Sequence, residues 1–425
     1  MSALAKFCAM LDYTVSGSDA VLGETVQDLC SYGVKTYVGS DRERKDLRLA
    51  DVVVYTDAIP QTDLELLQAK ALKKKLLSRA ELLSLVCGEF SNVISIAGSH
   101  GKTTCTAMTA HVLRGLEVPF TAHIGGEDSE FGNFHYTGKE YLVTEACEYK
   151  KNILKIRSNR AVVLNIDEDH MECYTDAEDL LSTFQAYCAQ AKNAFVCADD
   201  ERCLRLGDYT TFGIHSPLAD YRAVDIRSNG EKYSFTVEEY GKASCRIRLN
   251  AVGKCAVYNA LASYCAVRSY GFDGKSIAKG LSTFSAVRRR FEKIGVFHGA
   301  SFICDYAHHP REILSTLQTA RCICKGKLFV VFQPHTYSRT KLLMDEFIQA
   351  LREIEELMIY KTFPARENYD VAGSAETLSK RIGALYAENA YVLKTWLKMT
   401  VREGELVLFL GAGDVYYVAQ YLLRD

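Results

Sequence analysis

Along the chain, short apolar runs alternate with stretches of helical spacing. The spacing predicts helices at 2–11, 25–32, 64–72 and 79–86, with strands at 13–16 and 51–55. Short β runs separated by helices of about three turns point to parallel sheet with helical crossovers. A second region opens with the β-branched run 92–97, followed by a helix at 102–113. Further strands are expected at 141–144, 161–165 and 194–198, with a helix at 177–189. From 221 to 249 the pattern turns to strict alternation, as in Tyr233-Ser-Phe-Thr-Val237, the mark of antiparallel sheet with one wet face. A helix at 256–270 follows. The third region predicts strands at 301–304, 328–332 and 405–410, and helices at 310–320 and 341–352. The expected fold class is α/β in three domains, at 1–88, 89–292 and 293–425.

Composition narrows the class of function. At 425 residues the chain exceeds one ordinary core. Apolar residues make up 48% and charged residues 24%, the profile of a soluble globular protein. Lys and Arg total 51 against 53 Asp and Glu, so no broad field invites nucleic acid or an anionic membrane. No apolar run reaches ~18 residues and the opening residues do not have the form of a signal peptide. A cytoplasmic location is therefore expected. Fifteen cysteines contain no C-x-x-C pair, so most of them are expected to be buried small apolar groups rather than zinc ligands.

The sharpest chemistry sits in Gly98-Ser99-His100-Gly101-Lys102-Thr103-Thr104. A strand precedes it and a helix follows, the context of a phosphate cradle. Glycines let backbone N–H groups approach phosphate oxygens, and the helix N-terminus adds positive potential. Lys102 would reach the β/γ-phosphates and the Thr103 hydroxyl would sit on Mg²⁺. The first glycine of the strict phosphate-loop pattern would fall on Ile96, so that pattern is not met in full. Glu145 and Glu148 end the strand at 141–144, where carboxylates can reach a metal or simply face solvent. Asn165-Ile-Asp-Glu-Asp169-His170 ends another strand. His170 there is a candidate metal ligand or proton carrier, or a capping group, and Asn165 and Asp169 are candidate turn or cap residues. Arg288-Arg-Arg290 precedes Phe291 and is a candidate phosphate contact or a solvated face. Asp305-Tyr306-Ala-His308-His309-Pro310 joins a strand to a helix, with Pro310 suited to its first turn. Gln333-Pro-His335-Thr-Tyr-Ser-Arg339-Thr-Lys341 carries cationic and hydroxyl groups suited to an anion, and Gly411-Ala-Gly413-Asp414 closes the last strand.

In this order, and over nearly the whole chain, these segments closely resemble the Mur ligase family. Val15-Ser-Gly-Ser-Asp19, Gly253-Lys254 with Asn259-Ala-Leu-Ala262, and Arg289-Arg-Phe291 belong to the same likeness. The paired-histidine and Gln-Pro-His segments point to the alanine-adding member. The resemblance implies a truncated Rossmann-like N-terminal domain that binds a UDP-sugar. It implies a central P-loop ATPase domain with a mixed sheet, and a C-terminal Rossmann-like domain. It further implies ATP as co-substrate, two Mg²⁺ ions, and L-alanine joined to UDP-N-acetylmuramate through an acyl phosphate. Lys102 and Thr103 would then hold the nucleotide phosphates and one metal, and Glu145 and His170 look like the other metal-binding residues. Asn259 and Arg290 map to the nucleotide side, and Tyr306, His308 and Arg339 to the muramoyl substrate or its neighbourhood. Ser18 and Asp19 stand as candidates for the rim that faces the UDP moiety.

Two departures follow from the same comparison. Family members usually read Gly-Lys-His-Asn where this chain has Gly253-Lys254-Cys255-Ala256, so two adenine-pocket side chains are replaced. The family also opens with a strand and Gly-rich loop ahead of Ser2-Ala-Leu-Ala5. The coding sequence upstream of Met1 is expected to supply them as roughly 10–20 residues. Two further readings stay open at this point: a sibling enzyme that attaches a peptide to the same sugar nucleotide, and a non-catalytic nucleotide-binding relative.

Overall fold

A computed structural model describes residues 1–20, 23–39, 47–168, 170–229 and 232–424, so Asp169 lies outside the described residues. The chain divides into two compact units. The first comprises 1–225, 235–248 and 258–284, and the second 226–234, 249–257 and 285–425. Most of the first two expected regions therefore falls in one unit, while 226–234, 249–257 and 285–292 go with the other.

Near the start, β1 (Ser16–Asp19) pairs in parallel with β2 (Lys35–Val38), and β3 (Val52–Tyr55) with β4 (Lys75–Ser78). The strand expected at 13–16 begins instead at Ser16. Tyr13 is 67% exposed, and it is the polar Ser16–Asp19 stretch that pairs. Ten further strands follow: β5 (Asn92–Ala97), β6 (Phe120–Asp128), β7 (Gly132–Tyr136), β8 (Tyr141–Glu145), β9 (Arg160–Val163), β10 (Asn193–Cys197), β11 (Thr210–Gly213), β12 (Tyr221–Ser228), β13 (Tyr233–Glu239) and β14 (Lys242–Leu249). They form one mixed sheet in the order β14-β13-β12-β11-β10-β9-β5-β8-β6-β7.

The interior place of β5 explains its sequence. It pairs in parallel with β8 on one side and β9 on the other, and from Val93 to Ala97 it is buried on both faces. A strand covered on both faces needs a continuous apolar run, and Val93-Ile-Ser-Ile-Ala97 comes close to one. The single polar side chain, Ser95, is matched by the Tyr187 hydroxyl at 2.5 Å. Helix Lys102–Gly115 leaves the end of β5 and is buried along most of its length. Where it meets helix Gly274–Leu281 the backbones nearly touch: a Cβ on Gly280 would lie 2.7 Å from the Val112 Cα. Helix Ser2–Met10 belongs to the same unit, with Phe7 packed on Phe90, Phe134 and Tyr136.

The second unit holds a six-stranded sheet. Its strands are β15 (Glu292–Phe297), β16 (Ala300–Asp305), β17 (Leu328–Phe332), β18 (Glu356–Tyr360), β19 (Leu385–Ala387) and β20 (Leu406–Leu410), in the order β15-β16-β20-β17-β18-β19. Only β15 runs antiparallel to its neighbour. Successive side chains point to opposite faces. Phe302, Phe329 and Phe409 accordingly join one apolar cluster, and Ile303, Val330 and Leu408 another. The helix expected at 341–352 is two helices, Tyr337–Leu342 and Met344–Leu351, separated at Leu343, where the backbone leaves the helical path at φ -104, ψ 26.

Candidate active site

Parallel strands place their carboxyl ends on one edge of the sheet, and ligands of such sheets bind there. In the first unit that edge carries the loop Gly98–Thr104, which is bonded into the segment after β9. The His100 N–H donates to Asn165 Oδ1 at 2.8 Å, and Asn165 Nδ2 donates back to the His100 carbonyl at 3.1 Å. The Ser99 hydroxyl accepts from the Asp167 N–H at 2.7 Å, and His100 Nε2 lies 2.8 Å from Asp167 Oδ2. Both glycines are required by geometry. Gly98 has φ 129 and a Cβ there would stand 3.0 Å from the Asn165 carbonyl. Gly101 has φ 87 and its Cβ would stand 2.8 Å from Asn259 Oδ1. Gly98, Ser99, His100, Gly101, Asn165 and Asn259 are thus brought together, and Asp167 joins them as a loop anchor.

Thr103 is buried in the first helical turn and Thr104 half-buried beside it. The Lys102 ammonium donates to both oxygens of Glu148 at 3.0 Å, to the Ser99 carbonyl at 3.3 Å, and to the Gly98 carbonyl. Burial is the largest single influence and works against this charge, but Glu148, Cys147 and Glu145 together outweigh it and raise the Lys102 pKa above the usual ammonium range. Glu148 is itself 1% exposed, and the Tyr174 hydroxyl donates to its backbone carbonyl at 2.5 Å.

Glu145 ends β8 and accepts the Gly125 N–H at 2.6 Å. A Cβ at residue 125 would lie 2.5 Å from Glu145 Oε1, so the missing side chain there makes room for the carboxylate. His170 takes the left-handed conformation at φ 58. Its ring lies 5.1 Å from that of Tyr149, and its Nδ1 is 3.6 Å from Glu172 Oε1. Among the described residues no three His, Cys, Asp or Glu side chains converge as a ready ligand set. The donors near the loop nevertheless fit Mg²⁺. A hydroxyl and a carboxylate are hard oxygen ligands, and Mg²⁺ commonly takes one or two protein oxygens with phosphate and water completing its shell. In the early part of this unit the Ser18 hydroxyl donates to Glu65 at 2.6 Å, and Asp19 is exposed at the end of β1.

The second unit gathers its own group at the ends of β16, β17 and β20. The three arginines are not a solvated face. Arg288 Nε donates to the Tyr416 hydroxyl at 2.9 Å. Arg289 donates to the Gly411 and Gly413 carbonyls at 3.2 and 2.8 Å and stacks over Tyr306 at 4.8 Å. Arg290 lies over the same ring at 5.0 Å. Half-buried Asp305 accepts N–H bonds from Phe291 and Ala307, both at 2.8 Å. Burial nonetheless pushes its carboxyl pKa up, with Arg290 opposing. His308 Nδ1 is 3.0 Å from the Tyr306 carbonyl, and its ring meets those of Tyr306 and His335 at 5.4 and 5.8 Å. Arg339 Nη1 is 3.5 Å from His335 Nδ1, and the His335 ring stacks on Phe363. Burial, then neighbouring His308 and Arg339, hold the His335 pKa down to about 4. Gln333, fully buried, donates to Asp414 Oδ1 at 2.6 Å and accepts the Val415 N–H at 3.0 Å. A Cβ on Gly413 would lie 2.4 Å from Gln333 Oε1, which explains the glycine. Gln333 and Arg289 order the loops here, and their partners lie too far along the chain for local patterning to reveal them.

A phosphate-type loop on one sheet and a cation-rich strand-end cluster on another are the features of a nucleotide-dependent enzyme that handles an anionic substrate. Family models agree along the chain: the Mur ligase family catalytic domain at 1–91, the Mur ligase middle domain at 96–267, and the Mur ligase glutamate ligase domain at 289–413. The chain belongs to the Mur ligase family. It is 36% identical over 440 residues to a UDP-N-acetylmuramate–L-alanine ligase of Acetivibrio thermocellus, covering 100% of this chain and 93% of that protein. The crystal structure of the UDP-N-acetylmuramate–alanine ligase of Thermotoga maritima superposes with a TM-score of 0.85 at 27% identity, covering 100% of this chain and 96% of that one. A murein peptide ligase from Psychrobacter arcticus shares the fold, with a TM-score of 0.75 at 20% identity over 100% of this chain and 96% of that one.

Proposed function

We propose that this chain is an ATP-dependent ligase that joins L-alanine to UDP-N-acetylmuramate in the cytoplasm, a step of peptidoglycan synthesis. The observation that carries the reading is the loop Gly98–Thr104, held by Asn165 and Asp167 with the Lys102 ammonium beside it. The names and full-length similarity of the alanine-adding relatives support the substrate assignment.

A carboxylate is a poor electrophile, so its oxygen must first become a leaving group. Transfer of the γ-phosphoryl group of ATP to the muramoyl carboxylate gives an acyl phosphate and ADP. The L-alanine amine then attacks the carbonyl carbon and loses a proton, and the tetrahedral intermediate collapses as the C–O bond breaks and phosphate leaves. Lys102 neutralises charge on the group in transfer. Thr103, Glu145 and His170 would hold Mg²⁺, which when bound adds to that neutralisation. Asn259 and Arg290 serve the nucleotide side. Tyr306, His308 and Arg339 serve the muramoyl side, where guanidinium groups suit a carboxylate. Ser18 and Asp19 serve the UDP end, in the domain at 1–88. The domain at 89–292 binds ATP and that at 293–425 completes the ligase.

Amino-acid-dependent phosphate release with UDP-N-acetylmuramate and ATP tests the reading, comparing alanine, serine, glycine and a tripeptide. Alanine is expected to be preferred, and preference for the tripeptide would overturn the assignment. Lys102→Ala should lower the rate by about 10²- to 10³-fold, the scale of one lost preorganised charge contact. A wild-type rate from that variant would remove the loop from the mechanism.

A further inference from the structure

An ammonium has three hydrogens to donate. In this structure all three of Lys102's have acceptors inside the protein: the Gly98 carbonyl, the Ser99 carbonyl and the Glu148 carboxylate. The lysine that the phosphate-loop reading assigns to the nucleotide therefore has to give up a bond before it can donate to a phosphate. The three contacts are unequal. The Ser99 carbonyl, at 3.3 Å, is the longest and involves a neutral acceptor. Glu148 presents both oxygens at 3.0 Å and carries a full negative charge, and charge-assisted bonds are roughly twice as strong as neutral ones.

Glu148 is also held firmly in place. It is 1% exposed, and its backbone carbonyl is held by the Tyr174 hydroxyl. The chain after it turns through two left-handed residues, Lys150 and Lys151, at φ 51 and 56. Those two side chains are tied to Asp57 and to Asp179, and Asn152 Nδ2 donates to Asp57 at 3.0 Å. A fixed anion holding a flexible cation sets where that cation's charge sits.

We propose that Glu148 is a positioning residue. It keeps hold of Lys102 while the ammonium exchanges the Ser99 carbonyl for a nucleotide phosphate. It thereby fixes the lysine for phosphoryl transfer, at the expense of nucleotide affinity. The expense arises because a buried carboxylate beside the loop repels the incoming polyphosphate. The proposal rests on the phosphate-loop reading, and it predicts opposite effects on binding and turnover that a purely structural role does not produce.

The test is calorimetric ADP binding, with Mg²⁺, to the full chain, set beside the kcat for phosphate release and a thermal melt. Glu148→Gln retains the shape and an acceptor but removes the charge. It should bind ADP about 3- to 10-fold more tightly, the effect of deleting one like charge at a partly screened site. Its kcat should fall by about 10-fold or more, since the lysine is no longer held. Glu148→Asp retains the charge but is one methylene shorter. Its ADP affinity should stay within about twofold while kcat falls as for Gln. Weaker ADP binding by Glu148→Gln, or an unchanged kcat in both variants, overturns the proposal. So does a parallel loss of affinity, kcat and melting temperature in both. The ADP comparison does not depend on the acceptor, so a chain that binds ADP but fails to make the alanine amide would overturn the substrate reading alone.

Discussion

His335 shows how one side chain can couple site geometry to pH. Its ring stacks on Phe363, with Arg339 at 3.5 Å and His308 alongside. Burial and those two neighbours hold its pKa down to about 4, below the ordinary 6.5. The folded chain then resists a proton that the unfolded chain accepts. The stability contribution is complete above about 6.5 and is lost as pH falls from there toward about 4. Urea midpoints measured between pH 7 and pH 4 should fall for the wild type and fall less for His335→Asn. Equal acid sensitivity in both would show that His335 is not a source of that slope. The two departures from the family pattern at 255 and 256 also separate at this scale. Cys255 is exposed, whereas Ala256 is 3% exposed in the core. An asparagine at 256 would need buried partners for its amide, so the two replacements are not equivalent.

At the scale of elements, the site is made by strand ends that lie close in space. Gly125 on β6 and Glu145 on β8 face one another because those strands run parallel, with His123 beside Thr144. Gly125→Ala needs no unusual backbone, yet its Cβ would enter the space of the Glu145 carboxylate. The variant is expected to keep its melting temperature within a few degrees. It should need about 10-fold more Mg²⁺ for half-maximal phosphate release, in line with the loss of one placed ligand. An unchanged Mg²⁺ requirement would remove Glu145 from the metal site. Such contacts also mark how far the sequence could be read. Asn92–Ala97 and Leu328–Phe332 match their expected limits to the residue, because interior parallel strands demand unbroken apolar runs. Short strands such as β2, β4 and β19, three or four residues long and half-exposed, carry no such pattern. The glycine-lysine-threonine loop was legible because its local geometry dictates its residues. The bond from Lys102 to Glu148 and that from Gln333 to Asp414 were not, because tertiary packing alone pairs them.

At the scale of the molecule, the expectation of α/β regions holds, and the compact units gather them differently from the three segments read along the chain. Helix Ser2–Met10 and the loop Gly98–Thr104 belong to one unit. Phe7 is 3% exposed within an aromatic cluster, and Lys6 beside it is buried, bonded to Asn133 at 2.8 Å and paired with Asp28. None of these partners is near in sequence, so spacing predicted the helix but not its seat. Phe7→Ala should cost about 3–5 kcal/mol of stability in the first unit. Differential scanning calorimetry is expected to show its transition shifted down, and shifted back up by saturating ADP through mass action. A transition that ADP does not move would separate the nucleotide site from this unit. No described helix is long and apolar enough to cross a membrane.

The strand order of the second unit has a consequence for how it is made. β20 lies between β16 and β17, yet it is translated after β18, β19 and the helices among them. A ribosome delivers the outer strands first and the middle one late. Until Leu406–Leu410 emerges, the two edges it will bridge are open and the apolar faces around them lack a neighbour. The nascent chain thus passes through a window in which a holding chaperone has a defined target, and that window closes when one five-residue strand slots into place.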